Sequence, residues 1–247
     1  MTASRWLHCF RPVARPRRTL LCFPYAGAGA ALFRDWHLAA GPEDEILAVR
    51  LPGRENRIAE PALTEVAAAV PFVLDALEQR LGEDGRPLIL FGHSLGAALA
   101  YATARALIGQ GRPPRLLAVS GRRAPHLPLR RPPTSGMDEG EFRRQLHALG
   151  GTPPEVLDCA ELMELMLPLL RADFTMSDRF SEPEPAPLPI PLVAFAGVED
   201  SEVMVSEVAG WERLAGAGFA LHRLAGNHFF VNEHRRAIVE TLLGPIP

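Results

Sequence analysis

Short apolar runs alternate with helical patterns along this chain of 247 residues, and that alternation constrains its fold more than any other feature. Buried strands are predicted at six runs of five to seven residues, namely 19–23, 45–51, 87–91, 116–120, 192–196 and 219–224. Apolar residues at helical spacing predict helices at 63–81, 95–108, 203–215 and 232–243. Alternating strands and helices favour one mostly parallel sheet flanked by helices. We therefore predict a single α/β domain spanning residues 1–247.

The alternation stops after the fourth predicted strand. No strand pattern is present from 122 to 189, and helices are predicted at 139–149 and 160–174 instead. The second of these helices is apolar on too many sides to lie alone at a surface, so we expect it to pack over another part of the protein. Five prolines among residues 182–191 indicate a stiff return to the sheet. These features predict a helical lid inserted at about 126–185.

The basic residues are all arginine, because Lys and Arg together number 26 and the chain contains no Lys. This excludes Schiff-base catalysis by lysine and the lysine of a phosphate-binding P-loop. A net charge of −3 and an aromatic content of 7% argue against nucleic-acid binding. No apolar run reaches the roughly 18 residues that span a bilayer, and the first residues lack the apolar core of a secretory signal. The spacing of Cys9, Cys22 and Cys159 matches neither a zinc site nor a disulfide framework, so we expect reduced thiols in a cytoplasmic protein without a metal site. Because the apolar runs are short, we also expect no membrane contact.

The clearest chemical signal is Gly-His-Ser-Leu-Gly at 92–96, which joins the third predicted strand to an alanine-rich helix. In this setting G-x-S-x-G predicts a serine on a sharp strand-to-helix turn, exposed at the sheet edge. The helix N-terminus adds N–H groups and a positive dipole for a developing oxyanion. Ser94 is therefore the predicted nucleophile, and a serine in an ordinary tight turn is the alternative.

A nucleophilic serine needs a general base, and the base needs an orienting acid, which on this architecture follow in the order Ser, Asp or Glu, His. His228 is the predicted base because it follows the last predicted strand, at the edge where parallel strands end. The acid should follow the strand at 192–196, where Glu199, Asp200 and Glu202 compete. We choose Asp200, since a glycine three residues before an aspartate suits a short acid-bearing turn.

Two backbone N–H groups are expected to bind the oxyanion. One belongs to Leu95, the residue after the nucleophile. The other should come from the glycine-rich loop 23–29, which follows the first predicted strand. We place this second donor at Ala26, with Tyr25 as the alternative.

Six ordered segments together resemble the type II thioesterase family of polyketide and nonribosomal peptide biosynthesis. They are FPYAG at 23–27, LPGRE at 51–55, GHSLG at 92–96, SGRRAP at 120–125, LGGTP at 149–153 and GNHFF at 226–230. The resemblance extends from about 19 to 243. Ser94, Asp200 and His228 fall on the family's triad positions, whereas Ala28 departs from its usual second glycine.

The resemblance implies an α/β-hydrolase fold with a flexible helical lid. It implies a free-standing monomer that hydrolyses thioesters from the phosphopantetheine arm of acyl or peptidyl carrier proteins, and so removes stalled or misprimed acyl groups from a synthase. No cofactor is implied beyond the phosphopantetheine that the substrate carries. A small-molecule carboxylesterase or lipase is the alternative, because a fold does not determine the substrate.

The apolar helix of the insertion is expected to roof an acyl pocket, lined by Met163, Met166 and Leu167 together with Tyr25 of the oxyanion loop. Ordinary helix packing is the alternative interpretation of the same side chains. Arginine pairs at 122–123, 130–131 and 143–144 are expected either to attract an acidic carrier protein or its phosphate, or to form a solvated face.

Overall fold

One sheet of seven strands forms the centre of the molecule in the computed structural model, which describes residues 5–82, 85–151 and 154–245. The strands are β1 (Leu7–Cys9), β2 (Arg18–Phe23), β3 (Asp44–Val49), β4 (Leu88–His93), β5 (Leu116–Ser120), β6 (Leu192–Gly197) and β7 (Phe219–Leu224). Their order across the sheet is β1-β3-β2-β4-β5-β6-β7. Only β1 runs antiparallel to its neighbour among these strands, so the predicted mostly parallel sheet is confirmed.

Strand β1 has no counterpart among the six strands predicted from the sequence. It is three residues long and only partly buried, so it is too short to show an alternating pattern. It forms because the chain returns alongside β3, where Leu7 pairs with Val49. Tertiary pairing therefore creates this edge strand where local sequence gives little signal.

Helices cover both faces of the sheet and one end of it. They are α1 (Val66–Leu81), α2 (Leu95–Gly109), α3 (Glu139–Leu149), α4 (Pro154–Leu157), α5 (Ala160–Arg179), α6 (Val205–Ala209), α7 (Phe230–Glu233) and α8 (Arg235–Leu243). Among the helices of the described residues, none is both long enough and apolar enough to cross a bilayer.

The sheet separates two hydrophobic cores, because successive residues of a strand point to opposite faces. Leu21 and Phe23 of β2 belong to the core that contains α1 and α2. Leu20 and Cys22 belong to the core that contains α8. Burial on both faces explains why the central strands are continuous apolar runs.

Helices α3, α4 and α5 build the lid around a small core of their own. That core contains Phe142, Leu146, Leu157, Met163 and Leu170. The last turn of α5 leaves this core, since Met176 belongs to the core of the main body. The lid is thus supported by itself at one end and anchored in the body at the other. Thr152 and Pro153 of the LGGTP segment lie outside the described residues.

Helix α5 continues to Arg179, beyond the predicted end at 174. In its later turns Asp173 and Ser177 bond to Arg54 and Arg122 of the main body instead of facing water. Asp178 bonds to Arg131, near the start of the insertion. The helix predicted at 203–215 is shorter, as α6 passes into a 3₁₀ helix at Gly210–Leu214. The helix predicted at 232–243 is divided into α7 and α8.

Candidate active site

Ser94 lies on the sharp turn between β4 and α2, as the sequence predicts. Its φ is 53°, in the left-handed region that a non-glycine residue rarely adopts. A Cβ at position 92 would lie 2.0 Å from the carbonyl oxygen of Gly96, and a Cβ at 96 would lie 2.1 Å from that of Phe23. The two glycines of the motif therefore let main-chain segments approach closely enough to form this turn.

His228 and Asp200 complete a hydrogen-bonded relay with Ser94. Nε2 of His228 lies 3.1 Å from Oγ of Ser94, and Nδ1 lies 2.8 Å from Oδ2 of Asp200. The three residues follow β4, β6 and β7, whose parallel direction places their carboxyl ends at one edge of the sheet. The structure thus brings together all three side chains that were predicted to form the triad.

Asp200 is oriented by its own turn. Its Oδ1 accepts the N–H groups of Glu202 at 2.9 Å and Val203 at 3.0 Å. This leaves Oδ2 to accept Nδ1–H of His228. The carboxylate is buried and held by two backbone donors, so it can keep one tautomer of the imidazole in place.

The two acids that compete with Asp200 in the sequence have other partners. Glu199 accepts the N–H of Gly226 and so ties the loop of His228 to the end of β6. Glu202 forms an ion pair with Arg131 at 2.8 Å. The choice between three neighbouring carboxylates is therefore decided by the direction in which each side chain leaves the turn.

His93 is a residue of the site that sequence reasoning missed. Its ring is fully buried, and its Nε2 lies 2.8 Å from the carbonyl oxygen of His228. Because a carbonyl only accepts, Nε2 carries the proton, and Nδ1 accepts the hydroxyl of Ser120 at 2.8 Å. Burial lowers the pKa of His93 well below its usual value, with a further contribution from His228, so the ring is neutral. The contact between His93 and Ser120 had a signal in the sequence, because these two residues end neighbouring parallel strands in register.

The predicted oxyanion donors lie beside the nucleophile. Leu95 is the first residue of α2, where the N–H groups of the first turn have no partner within the helix. Ala26 lines the same cleft as Ser94. Its neighbours are committed elsewhere, since Gly27 donates to Asp173 at 2.7 Å and Ala28 donates to the Tyr25 carbonyl at 3.0 Å.

A cleft of about 570 Å³, its open mouth included, contains Ser94 and His228. Tyr25 lines it as predicted, with its ring 5.2 Å from that of Phe229 in an edge-to-face arrangement. The lid contributes Leu149, Phe174, Ser177 and Asp178 to its wall. Its surroundings are therefore mixed in polarity, with charged groups next to aromatic rings.

Met163, Met166 and Leu167 do not line this cleft, which corrects the expectation of an acyl pocket formed by them. Met163 is fully buried in the lid's own core, and the other two pack against that core. Helix α5 turns this apolar side toward α3 and α4, and it presents Phe174 and Ser177 to the cleft. Ordinary packing within the lid, the alternative interpretation, accounts for the three side chains.

Arg122 lies in the wall of the cleft and is only 4% exposed, so it is not part of a surface patch. Its guanidinium donates to Oγ of Ser177 at 2.9 Å and to the carbonyl oxygen of the same residue at 3.0 Å. Burial, followed by the charge of Arg123, lowers the pKa of Arg122 to about 9. Because both hydrogen bonds reach Ser177 of α5, Arg122 connects the end of β5 to the lid.

The other two arginine pairs are partly neutralised by acids of the chain itself. Arg131 binds Asp178 at 3.0 Å, and Arg143 binds Glu139 at 2.9 Å. Arg130 lies 3.7 Å from Glu207. For the partly exposed Arg130 and Arg143 these contacts favour the solvated-face interpretation, whereas Arg131 is mostly covered and lines the cleft.

Comparison with known proteins shows the family to which this chain belongs. The family model described as Thioesterase domain matches residues 18–244. A protein of Brevibacillus parabrevis named Linear gramicidin dehydrogenase LgrE is 35% identical, over 98% of this chain and 94% of its own length. Thioesterase PikA5 of Streptomyces venezuelae is 37% identical, over 92% of this chain and 80% of its own.

Solved structures give the same result. YbtT, described as a type II thioesterase from the yersiniabactin NRPS/PKS biosynthetic pathway, superposes with a TM-score of 0.87. It is 29% identical in sequence, and the superposition covers 96% of each chain. This chain therefore has the α/β-hydrolase fold and belongs to the thioesterase domain family.

Proposed function

We propose that this protein is a type II thioesterase, an editing enzyme that hydrolyses acyl groups from the phosphopantetheine arm of acyl or peptidyl carrier proteins. The observation that carries the proposal is the relay of Ser94, His228 and Asp200, which opens into a cleft at the N-terminus of α2. Likeness over nearly the whole chain to YbtT and PikA5 supports the substrate class. Within the same proposal the enzyme is a cytoplasmic monomer without a metal or cofactor of its own.

The first half of the reaction transfers the acyl group to the enzyme. Oγ of Ser94 attacks the thioester carbonyl carbon, while Nε2 of His228 takes the hydroxyl proton. The oxyanion that forms on the carbonyl oxygen binds the N–H groups of Leu95 and Ala26. Collapse of the intermediate breaks the carbon–sulfur bond, and His228 returns the proton to the departing pantetheine thiolate.

The second half releases the acid. A water molecule gives a proton to Nε2 of His228 and attacks the carbonyl carbon of the acyl-serine. The same N–H groups bind the second oxyanion. Its collapse breaks the bond to Oγ of Ser94, which regains the proton, and the carboxylic acid leaves. Through both halves Asp200 holds Nδ1–H of the ring and stabilises the imidazolium.

The dehydrogenase named among the relatives raises the question of a nucleotide site in this chain. Dinucleotide-binding folds place the pyrophosphate at a glycine-rich turn that leads directly into a helix N-terminus. Here the glycine-rich loop leads into a 3₁₀ helix of four residues, Ala30–Phe33. The N–H of Gly27 also binds Asp173. Both observations argue against a dinucleotide bound at this loop.

An experiment that compares thioester and oxygen-ester substrates distinguishes the proposed thioesterase from a carboxylesterase. Carrier proteins loaded with short, branched and long acyl groups are incubated with the enzyme, and the loss of each acyl group is followed by mass spectrometry. We expect the wild type to deacylate them faster than it cleaves 4-nitrophenyl esters of the same acids. Faster cleavage of the oxygen esters would favour the carboxylesterase alternative.

The matched variant Ser94→Ala removes only the nucleophilic oxygen. We expect it to leave the acyl carrier proteins intact, while the wild type quenched in acid carries the acyl mass on the peptide that contains Ser94. Turnover by Ser94→Ala at the wild-type rate would eliminate the acyl-serine mechanism. Thermal unfolding of both proteins checks that the variant is folded.

A further inference from the structure

The loop that follows β3 holds the loop that carries the second oxyanion donor. Arg54 of the LPGRE segment donates from Nη1 to the carbonyl oxygen of Ala28 at 3.0 Å. The next residue, Glu55, accepts the N–H of Ala31 at Oε1, at a distance of 2.9 Å. Glu55 has a φ of 50°, in the left-handed region, so its backbone is kept in a strained conformation. The LPGRE segment is therefore built against the oxyanion loop.

The lid holds the same loop through Asp173 of α5. Its buried carboxylate forms two hydrogen bonds of 2.7 Å with Nη1 and Nη2 of Arg54. Oδ2 also accepts the N–H of Gly27 at 2.7 Å. Gly27 has a φ of +80°, and a Cβ there would lie 2.7 Å from Cδ2 of Leu170, one turn earlier on α5. One face of the lid helix thus fits closely against this glycine.

These bonds bear on the Ala26 N–H, because that group belongs to the same peptide unit as the Tyr25 carbonyl. The Tyr25 oxygen accepts the N–H of Ala28 at 3.0 Å, which closes a tight turn. In a planar trans peptide the N–H points away from the carbonyl oxygen, so the turn determines where the Ala26 N–H points. The next two residues of the turn are those that the lid aspartate and the LPGRE arginine bind.

A contribution to folding stability does not by itself explain the buried ion pair of Arg54 and Asp173. The side chains of Arg54 and Asp173 are 4% and 0% exposed. Removing both charges from water costs several kcal/mol, and replacing a buried ion pair by apolar residues of similar volume is often neutral or stabilising. Apart from this ion pair, Arg54 donates to the carbonyl oxygens of Pro52 and Ala28, and Asp173 accepts the N–H of Gly27.

We propose that Arg54 and Asp173 are positioning residues for the oxyanion hole. The pair closes between body and lid and orients the turn that aims the Ala26 N–H at the reacting carbonyl. The inference rests on the proposed function, which makes Ala26 a donor. Neither side chain of the pair is among the described residues that line the cleft, so each acts through the backbone of residues 27 and 28.

The test replaces the pair with apolar residues of similar size, in the double variant Arg54→Met, Asp173→Leu. Removal of one oxyanion donor from a serine hydrolase lowers kcat on the order of 10²–10³-fold. For a donor that is misdirected rather than lost, we expect kcat on an acyl carrier protein to fall about 10- to 100-fold, with KM changed less than about threefold. Substrate binding depends on the cleft, which the variant leaves intact.

A second measurement separates positioning from general damage. A peptidyl or acyl aldehyde forms a hemiacetal with Oγ of Ser94, and its oxygen occupies the oxyanion hole. We expect the aldehyde to lose affinity in the double variant by the same factor as kcat/KM. A purely structural role would lower the melting temperature and leave the kcat of the folded fraction and its aldehyde affinity unchanged.

The matched control is a similar arrangement at the opposite edge of the sheet. Asp44 accepts two hydrogen bonds from Arg18, at 2.6 and 3.3 Å, and the N–H of Gly41 at 3.0 Å. The double variant Arg18→Met, Asp44→Leu removes these bonds at the start of β2 and β3. We expect it to change the melting temperature without changing kcat or aldehyde affinity.

Asp173→Asn is the conservative variant, and it decides the question if the double variant does not fold. Its amide oxygen can still accept the N–H of Gly27, so we expect a kcat between those of the wild type and the double variant. Wild-type kcat and aldehyde affinity in folded Asp173→Asn, or in the folded double variant, would overturn the proposal. Failure of the proposed function differs, because the wild type itself would then leave acyl carrier proteins intact.

Discussion

Replacing His93 with glutamine should remove an acid-sensitive group from the core without removing the bond that it makes to the His228 loop. Burial lowers the pKa of His93 well below its usual value of 6.5, so the native protein keeps the ring neutral. The unfolded chain takes up a proton on this residue as the pH falls through 6.5. Since the unfolded state then binds more protons, the free energy of unfolding decreases toward acid pH.

The size of this effect follows from the proton uptake alone. A histidine that titrates normally when unfolded and stays neutral in the native state lowers the free energy of unfolding by at most about 2.3 kcal/mol between pH 6.5 and 4.5. A glutamine amide can still donate to the carbonyl oxygen of His228, which His93 binds at 2.8 Å, but it does not titrate. The variant should therefore lose less stability than the wild type over the same pH range.

Urea denaturation of both proteins at several pH values between 7.5 and 4.5 measures this difference. The other histidines and the carboxylates are common to both proteins, so their contributions cancel in the comparison. We expect the curves of unfolding free energy to converge as the pH falls, by up to about 2 kcal/mol. Parallel curves would show that His93 is protonated in the native state, or that it is not buried, and would refute the reasoning.

Asp200→Asn should lower kcat on the order of 10³–10⁴-fold, with little change in KM, because an amide favours the wrong tautomer of His228; steady-state kinetics measures both constants. Glu202→Gln serves as its neighbour control, and a comparable loss of kcat there would mean that the acid is wrongly assigned. Gly96→Ala places a methyl group 2.1 Å from the carbonyl oxygen of Phe23 and should cost about 3 kcal/mol of stability or more. Unfolding by urea at neutral pH tests this, and a folded, active variant of wild-type stability would contradict the close packing.

The triad was predictable because local pattern and topology limit the choices. Ser94 follows a buried apolar run and precedes a helix, so its place at the sheet edge follows from a short stretch of chain. Parallel strands end at that same edge, and this directs attention to the residues after β6 and β7. The order of the catalytic types then leaves His228 and a few neighbouring acids.

The burial of individual side chains in the lid could not be predicted from the sequence pattern. Apolar residues at helical spacing correctly predict a helix, but they do not tell which neighbour covers each face. Met163 therefore packs inside the lid, and the polar Asp173 lies fully buried. Asp173 is internal because its ion-pair partner Arg54 comes from a loop 119 residues away in the chain.

Residue patterns alone were sufficient to predict the α/β alternation, the strand-to-helix turn at Ser94 and the candidates for the triad, because these depend on neighbours within a few residues or on the shared direction of parallel strands. The folded arrangement was needed to show which of three acids meets His228, which lid residues face the cleft, and that His93 and Asp173 are buried against backbone groups of the site. Those outcomes depend on the directions of side chains whose partners are distant in the chain, and local periodicity carries no information about such directions.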